Sequence, residues 1–386
     1  MASAHGLSFR SFRTNSGDVE HYIAIEAPAQ LSLARQIDAV AQRYAEALQS
    51  LRLAPDSAVF RRLYLSDAAN QAALLRDSSL FREPLDSPVA VSMVQQPPLS
   101  GAKLAMLAYH LESPTPLAKS RTGSGDLLLQ KGALRHLWST RLCSTNTAEP
   151  SSAADQTREV FARLIGALQE QGGTLAENCV RTWIYVKDVD VFYQDMVAAR
   201  TALFAQHGLT RDTHYLASTG IEGACSHRYD VVLMDAYSIL GLAPEQVSYL
   251  NAYDRLCHTR DYNVTFERGT RIAYADRAHL LISGTASIDT AGQVMHPGDV
   301  GRQLARALGN VDALLRAGHA TIEAMSHFIV YLRDPSDYGL VEACFAESFP
   351  DVPRLILRGP VCRPDWLVEV EGVAMVPNEA PALPAF

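Results

Sequence analysis

Hydrophobic and polar positions along this chain fall into short strand-like runs and longer helix-like runs, and their order repeats. Three strand-like runs end alike: FRRLYLSD (Phe60 to Asp67), RTWIYVKD (Arg181 to Asp188) and HFIVYLRD (His327 to Asp334). In each, a tyrosine (Tyr64, Tyr185, Tyr331) stands three residues before an aspartate (Asp67, Asp188, Asp334). An internal repeat of this kind sets the architecture before any single motif is weighed.

Each of these strands follows a segment of helical period. In DQTREVFARLIGALQEQGG, Val160, Phe161, Leu164, Ile165 and Leu168 share one face, and Gly172 and Gly173 stop the helix. The other copies have ARQIDAVAQRYAEALQSL and GRQLARALGNVDALLRAG, the latter closed by Gly318. A second helix follows each strand: DAANQAALLRDS, FYQDMVAARTALFAQHG and YGLVEACFAESF. Two strands then close each copy: VAVSMVQQ with KLAMLAYHL, LASTGIEG with YDVVLMDAYSI, and LILRGPV with WLVEVEGVAM. The later copies also open on β-type segments, ALRHLWSTRLCST in one and TRIAYAD with AHLLISGTASID in the other.

The fold class is therefore α+β, with three β-β-α-β-α-β-β units at roughly 1–115, 125–240 and 255–377, packed as a pseudo-threefold body. ESPTPLAKSRTGSG and GLAPEQVSYLNAYDRLCHTRD read as the linkers, and PNEAPALPAF as a loose tail.

Composition narrows the function. With 386 residues, 48% of them hydrophobic, the chain can bury a substantial core. A net charge of −8 offers no basic stripe for nucleic acid, while a local arginine cluster can still take an anionic small molecule. The N-terminal MASAHGLSFRSFRTNSG lacks the apolar core of a signal peptide, and no apolar run is long enough for a membrane helix, so a cytoplasmic protein is expected. The six cysteines lack CxxC spacing and the histidines form no HxH or HExxH pair, so free thiols and no metal are expected.

The copies differ where chemistry is expected. Aligning VEVEGVA, VLMDAYS and AMLAYHL sets Glu369 opposite Leu233 and Ala105, and Glu371 opposite Asp235 and Leu107. Fifteen residues upstream of these, Arg354 stands opposite Ser218 and Ala90. An arginine and a glutamate unique to one copy point to one active site per chain. Glu369 and Glu371 share a strand face. Burial would raise the pKa of Glu369 into the range of a general acid, whereas a nearby Arg354 would lower it. A surface ion pair between them is the competing reading.

Other candidates carry comparable alternatives. Cys362 lies in the turn before that strand, as a thiol lining a cleft or as a small buried filler, and Arg363 beside it is a ligand or a solvated turn residue. Gly284 in ISGTAS would let its backbone amide approach a carboxylate, or is an ordinary turn. Arg181 would bind a second ligand carboxylate or form an interface salt bridge. His214 and Tyr215 offer hydrogen bonds to a hydroxyl, with Tyr215 equally suited to the core.

From Thr270 to Val376 the chain resembles the RidA (YjgF) family, in ISGTASID, IVYLRD, PRLILRG and LVEVEGVAM, an acid-hydrophobic-acid strand with an arginine fifteen residues upstream. That resemblance implies that Arg354 binds a substrate carboxylate, that Glu369 activates the reacting species, and that Tyr274 and Gly284 belong to the site. RidA proteins are short chains forming homotrimers, and here the trimer is fused into one chain. The whole arrangement, with VRTWIYVKD, ASTGIEG, SGTAS and CRPDWLVEVEG, is similar to the chorismatases, strongly over the last two thirds and weakly over the first 110 residues.

The likeness implies removal of the enolpyruvyl group of chorismate as pyruvate, with no metal or organic cofactor. The accompanying product is expected to be 3-hydroxybenzoate, with 4-hydroxybenzoate alongside it in one subgroup. It implies Glu369 as the acid, Arg354 and Arg181 as carboxylate sites, and two markers of the product branch: Cys362 resembles the benzoate-forming type and Ala275 the hydrolytic type. Hydrolysis to a dihydroxycyclohexadiene carboxylate, a RidA-like imine or enamine deaminase, and a non-catalytic effector-binding protein are the alternatives. With the trimer interface satisfied internally, a monomer without nucleic-acid or membrane partners is expected.

Overall fold

The computed structural model describes residues 6–84, 86–145, 149–257 and 265–386. Its chain lies in three sheets of one plan. The first holds β1 (Leu7–Arg13), β2 (Val19–Glu26), β3 (Ala58–Leu65), β4 (Ala90–Gln95) and β5 (Leu104–Glu112) in the order β1-β2-β5-β3-β4. The second holds β6 (Ala118–Arg121), β7 (Leu127–Lys131), β8 (Leu134–Leu142), β9 (Cys179–Val186), β10 (Ala217–Glu222) and β11 (Val232–Leu240) in the order β10-β9-β11-β8-β7-β6. The third holds β12 (Val247–Tyr249), β13 (Gly269–Ala273), β14 (Arg277–Ala286), β15 (Met325–Leu332), β16 (Arg354–Arg358) and β17 (Val368–Pro377) in the order β12-β13-β14-β17-β15-β16.

The helices are α1 (Leu33–Leu51), α2 (Ala68–Arg76), α3 (Ala153–Glu170), α4 (Leu175–Asn178), α5 (Val189–Gln206), α6 (Val300–Ala317) and α7 (Tyr338–Ser348). Their starts follow local chemistry. Ser152 accepts the amide of Asp155 at the head of α3, and Asp299 that of Arg302 at the head of α6. The apolar stripe of α6 (Leu304, Ala307, Val311, Leu314, Leu315) is buried, as its period requires. No helix among the described residues is long and apolar enough to cross a membrane.

The register supports the copy alignment at the acid position. Tyr331 lies opposite Glu369, Tyr185 opposite Leu233 and Tyr64 opposite Ala105. At the arginine position the first copy slips by one. Arg354 pairs with Phe328 and Ser218 with Thr182, each three residues before its tyrosine, whereas the residue paired three before Tyr64 is Val91 rather than Ala90.

Other expectations change as well. The first unit opens with two strands as well, β1 and β2. Both segments read as linkers contribute strands, β6, which pairs with β7, and β12. Nor is the tail loose. Phe386 is 3% exposed, its ring against His136, Tyr274 and His279, and its carbonyl accepts from Lys131 Nζ at 2.6 Å.

The inner faces of all three sheets share one core, in which Tyr64, Tyr185 and Tyr331 are fully buried. Two buried ion pairs cross it between units. Arg62 meets Asp235 at 2.9 Å, its guanidinium over the ring of Trp183, and Arg181 meets Glu371 at 2.5 Å. A third cluster joins Glu20 of the first unit to Arg277 and His279 of the third, and Asp18 to Lys131 of the second. Removing one partner of such a pair strands the other charge out of water. Arg62→Ala is therefore expected to cost about 3–5 kcal/mol in urea denaturation. A loss below about 1 kcal/mol would mean that the pair does not hold the units together.

Candidate active site

The parallel edge strand of each later unit leans on its neighbour. β10 of the second unit reaches the third through the bridges Ala217↔Glu267 and Ile221↔Val361, whereas β16 of the third reaches the first through Pro98↔Leu357. Each junction thus draws its edge-strand residues from one unit and its closing-strand residues from the next.

A cavity of about 440 Å³ opens at the junction of the second and third units. The second unit supplies Tyr193, Val197 and Arg200 from α5, and Ser218, Thr219 and Gly220 from β10. The third supplies Phe266, Arg268, Gly284, Cys362, Arg363, Trp366 and Glu369.

Glu369 is 6% exposed, and among the described residues none hydrogen-bonds its carboxyl. Burial, and then the negative charge of Glu371 two residues along the strand, push its pKa up to about 8 against the opposing charges of Arg268 and Arg181. The carboxyl is thus protonated at neutral pH. Its neighbour has the opposite surroundings. The Glu371 carboxylate accepts from Arg181, from Trp183 Nε1 at 3.1 Å, from the Tyr331 hydroxyl at 2.9 Å and from the Thr219 hydroxyl.

The cavity's other charges are positive and incompletely partnered. Arg200, 1% exposed, donates from Nε to Thr265 Oγ1 at 3.0 Å, while its Nη2 has no partner. Arg268, 5% exposed, donates from Nη2 to Cys257 Sγ at 3.3 Å, and its Nε has none. Buried guanidinium donors left open beside a cavity suit anionic groups of a ligand. Arg363 lies over the ring of Trp366 at the same wall.

Cys362 lines the cavity, with its thiol pushed up to about 12 by burial and then by Glu369. A thiol so far from ionising is a poor nucleophile. Gly284 is there because nothing larger fits. A Cβ at that position would lie 2.7 Å from Glu369 Cδ and 3.1 Å from Thr219 Cγ2. Its amide, expected to face a ligand, donates instead to Thr219 Oγ1 at 2.9 Å.

The remaining sequence candidates lie elsewhere. Arg354 sits at the third–first junction, bound to Glu342 at 2.5 and 3.1 Å beside a separate cavity of about 360 Å³. The cause is the edge-strand lean: the position of Arg354 that faces Glu369 belongs to the second unit, where it is Ser218. Arg181 is already taken by Glu371, the interface salt bridge of the two readings.

Tyr274 and Ala275 are at the far end of the third sheet. Tyr274 packs on Phe386 and His279, and Ala275 exchanges backbone hydrogen bonds with Pro384 and Ala380 at 3.1 and 3.0 Å. Tyr215 is buried against Phe204, and His214 stacks on Tyr249. Among the described residues no group of three or more His, Cys, Asp or Glu gathers as a metal site.

Arg200 was missed, although the sequence holds its signal. It interrupts the buried stripe of α5 among Met196, Val197, Leu203 and Phe204, where an arginine has to find an anion. Arg268 falls just before β13, and no pattern marked it.

Because Glu369 holds its proton in the folded state to about pH 8 but loses it near pH 4.5 when unfolded, the native state binds more protons between these values. Stability drawn from it is present below the lower pH and is lost as pH rises through the higher. Glu369→Gln is expected to gain in Tm relative to the native chain between pH 5 and 8. A Tm difference that is flat with pH would show the carboxyl ionised throughout.

Comparisons with known proteins bear on the same regions. Residues 271–376 match the family model described as Endoribonuclease L-PSP. The 3-hydroxybenzoate synthase of Streptomyces hygroscopicus is 26% identical over 257 residues, 60% of this chain and 73% of that protein. The 3-aminoacrylate deaminase RutC of Acinetobacter baylyi is 28% identical over 99 residues, 25% of this chain and 79% of that one. A chorismatase crystal structure superposes with a TM-score of 0.62 at 19% identity, over 83% of this chain and 93% of that one.

Proposed function

We propose that this chain, a member of the RidA-like superfamily with the chorismatase arrangement of three units, cleaves chorismate to pyruvate and a hydroxybenzoate, with Glu369 as the acid. The observation that carries the reading is a buried carboxyl, its pKa pushed up to about 8, in a cavity whose other charged groups are arginines. Chorismate carries two carboxylates, which suit Arg200 and Arg268, and an enol ether whose methylene carbon accepts a proton.

The steps follow from the surroundings of Glu369. Its proton passes to the methylene carbon, giving an oxocarbenium ion balanced by the new Glu369 carboxylate. The ring hydroxyl next to the ether carbon displaces the departing group. The ether oxygen and its electron pair leave with pyruvate, the hydroxyl proton returns to Glu369, and the resulting epoxide opens to the aromatic ring. The elements of chorismate divide between the two products with no water added.

Water that reached the oxocarbenium ion would give the dihydroxycyclohexadiene carboxylate instead. The Cys362 thiol and Tyr193 form part of the wall of the acid's cavity, which supports the aromatic outcome; Ala275, remote from the cavity, has no part in it.

Incubation with chorismate is expected to release pyruvate, read by coupled reduction to lactate, together with 3-hydroxybenzoate, with or without the 4-isomer, on chromatography. Pyruvate at only the spontaneous rate would end this reading. Glu369→Gln is expected to lower kcat about 10²–10⁴-fold while substrate binding persists. In oxygen-18-labelled water the trapped lactate should stay unlabelled if displacement is intramolecular, and labelled lactate would assign hydrolysis.

A further inference from the structure

The repeated strand ends in a position that differs in every copy. After the tyrosine and one further residue come Ser66, Lys187 and Arg333. Only Arg333 stands at the junction that holds Glu369, and it spans that junction. Its Nη1 and Nη2 donate to the two carboxylate oxygens of Asp190, both at 2.8 Å, and Nη2 also donates to the carbonyl of Val361 at 2.5 Å. Asp190 lies in the first turn of α5, one turn before Tyr193 and three before Arg200. Val361 precedes Cys362, and the backbone amide of Arg333 donates to Leu367 at the other end of the same turn.

We infer that Arg333 is a positioning residue, a clamp that fixes the α5 wall of the cavity against the wall carrying Cys362 and so limits the entry of water to the reacting carbon. This rests on the chorismate reading above. A bidentate guanidinium–carboxylate pair fixes direction as well as distance, which a lysine or a single hydrogen bond does not. Asp190 is half exposed, at 48%, so the pair adds little to global stability. Its effect belongs in how the cavity is held. Lys187 at the same position of the second unit donates to the carbonyl of Arg228 within its own unit, so the equivalent residue there spans no junction.

The test compares Arg333→Gln and Asp190→Asn with Arg316→Gln, which breaks the exposed Asp312 pair on α6 away from the cavity. In both clamp variants, hydrogen exchange is expected to speed up at residues 189–197 and 360–367, and to be unchanged there in Arg316→Gln. With chorismate, the share of product in which water was added, read as labelled lactate in oxygen-18 water, is expected to rise roughly two- to fivefold, the ratio that the modest energy of such a pair can shift. Unchanged exchange in both clamp variants overturns the clamp whatever the substrate. Faster exchange with an unaltered product ratio overturns its role in excluding water. Faster exchange without pyruvate from the native chain fails the chorismate reading and leaves only the mechanical clamp.

Discussion

The contact between Arg181 and Glu371 is the constraint on which the rest of the site depends. It is fully buried and ties the second unit to the third. It is also completed on both sides: Trp183, Thr219 and Tyr331 give Glu371 its remaining donors. Its donors hold the Glu371 carboxylate in place, and two residues along the strand Glu369 meets its charge with no hydrogen-bond partner of its own among the described residues. One strand thus carries one carboxyl group surrounded by donors and one without them. The difference comes from their surroundings and not from their residue type.

The pseudo-threefold plan explains why one such place is found among the described residues. Each junction combines an edge strand from one unit with a closing strand from the next. At the second–third junction these supply Ser218 and Glu369, and at the third–first junction Arg354 and Ala105. Arg354 and Glu369 therefore serve different junctions, and the arginines lining the cavity of Glu369 are Arg200 of α5, Arg268 before β13 and Arg363. Arg200 and Arg268 reach the cavity from outside the strand pair that the sequence comparison had singled out.

How much could be read from sequence follows from the same geometry. The strand repeat, the order of elements and the singularity of Glu369 were legible, because hydrophobic period and internal alignment report positions within one unit. Which unit faces which was not legible. Arg354 was placed with Glu369 since both lie in the same copy, although the edge strand that carries it leans the other way. Tyr274 and Ala275 entered through the family resemblance, and they lie at the opposite end of their sheet from Gly284. The tail looked loose from its prolines and alanines, yet Phe386 fills a buried aromatic cluster that the other units build around it. Arg200 could have been found by asking why a charge interrupts a buried helical stripe.

The central claim is that Glu369 rests protonated in its cavity. Infrared difference spectroscopy between the native chain and Glu369→Gln reads this without substrate. A protonated-carboxyl stretch present at neutral pH and lost as pH rises through about 8 is the predicted result. A difference spectrum showing only ionised carboxylate at neutral pH would contradict it, and with it the assignment of Glu369 as the acid.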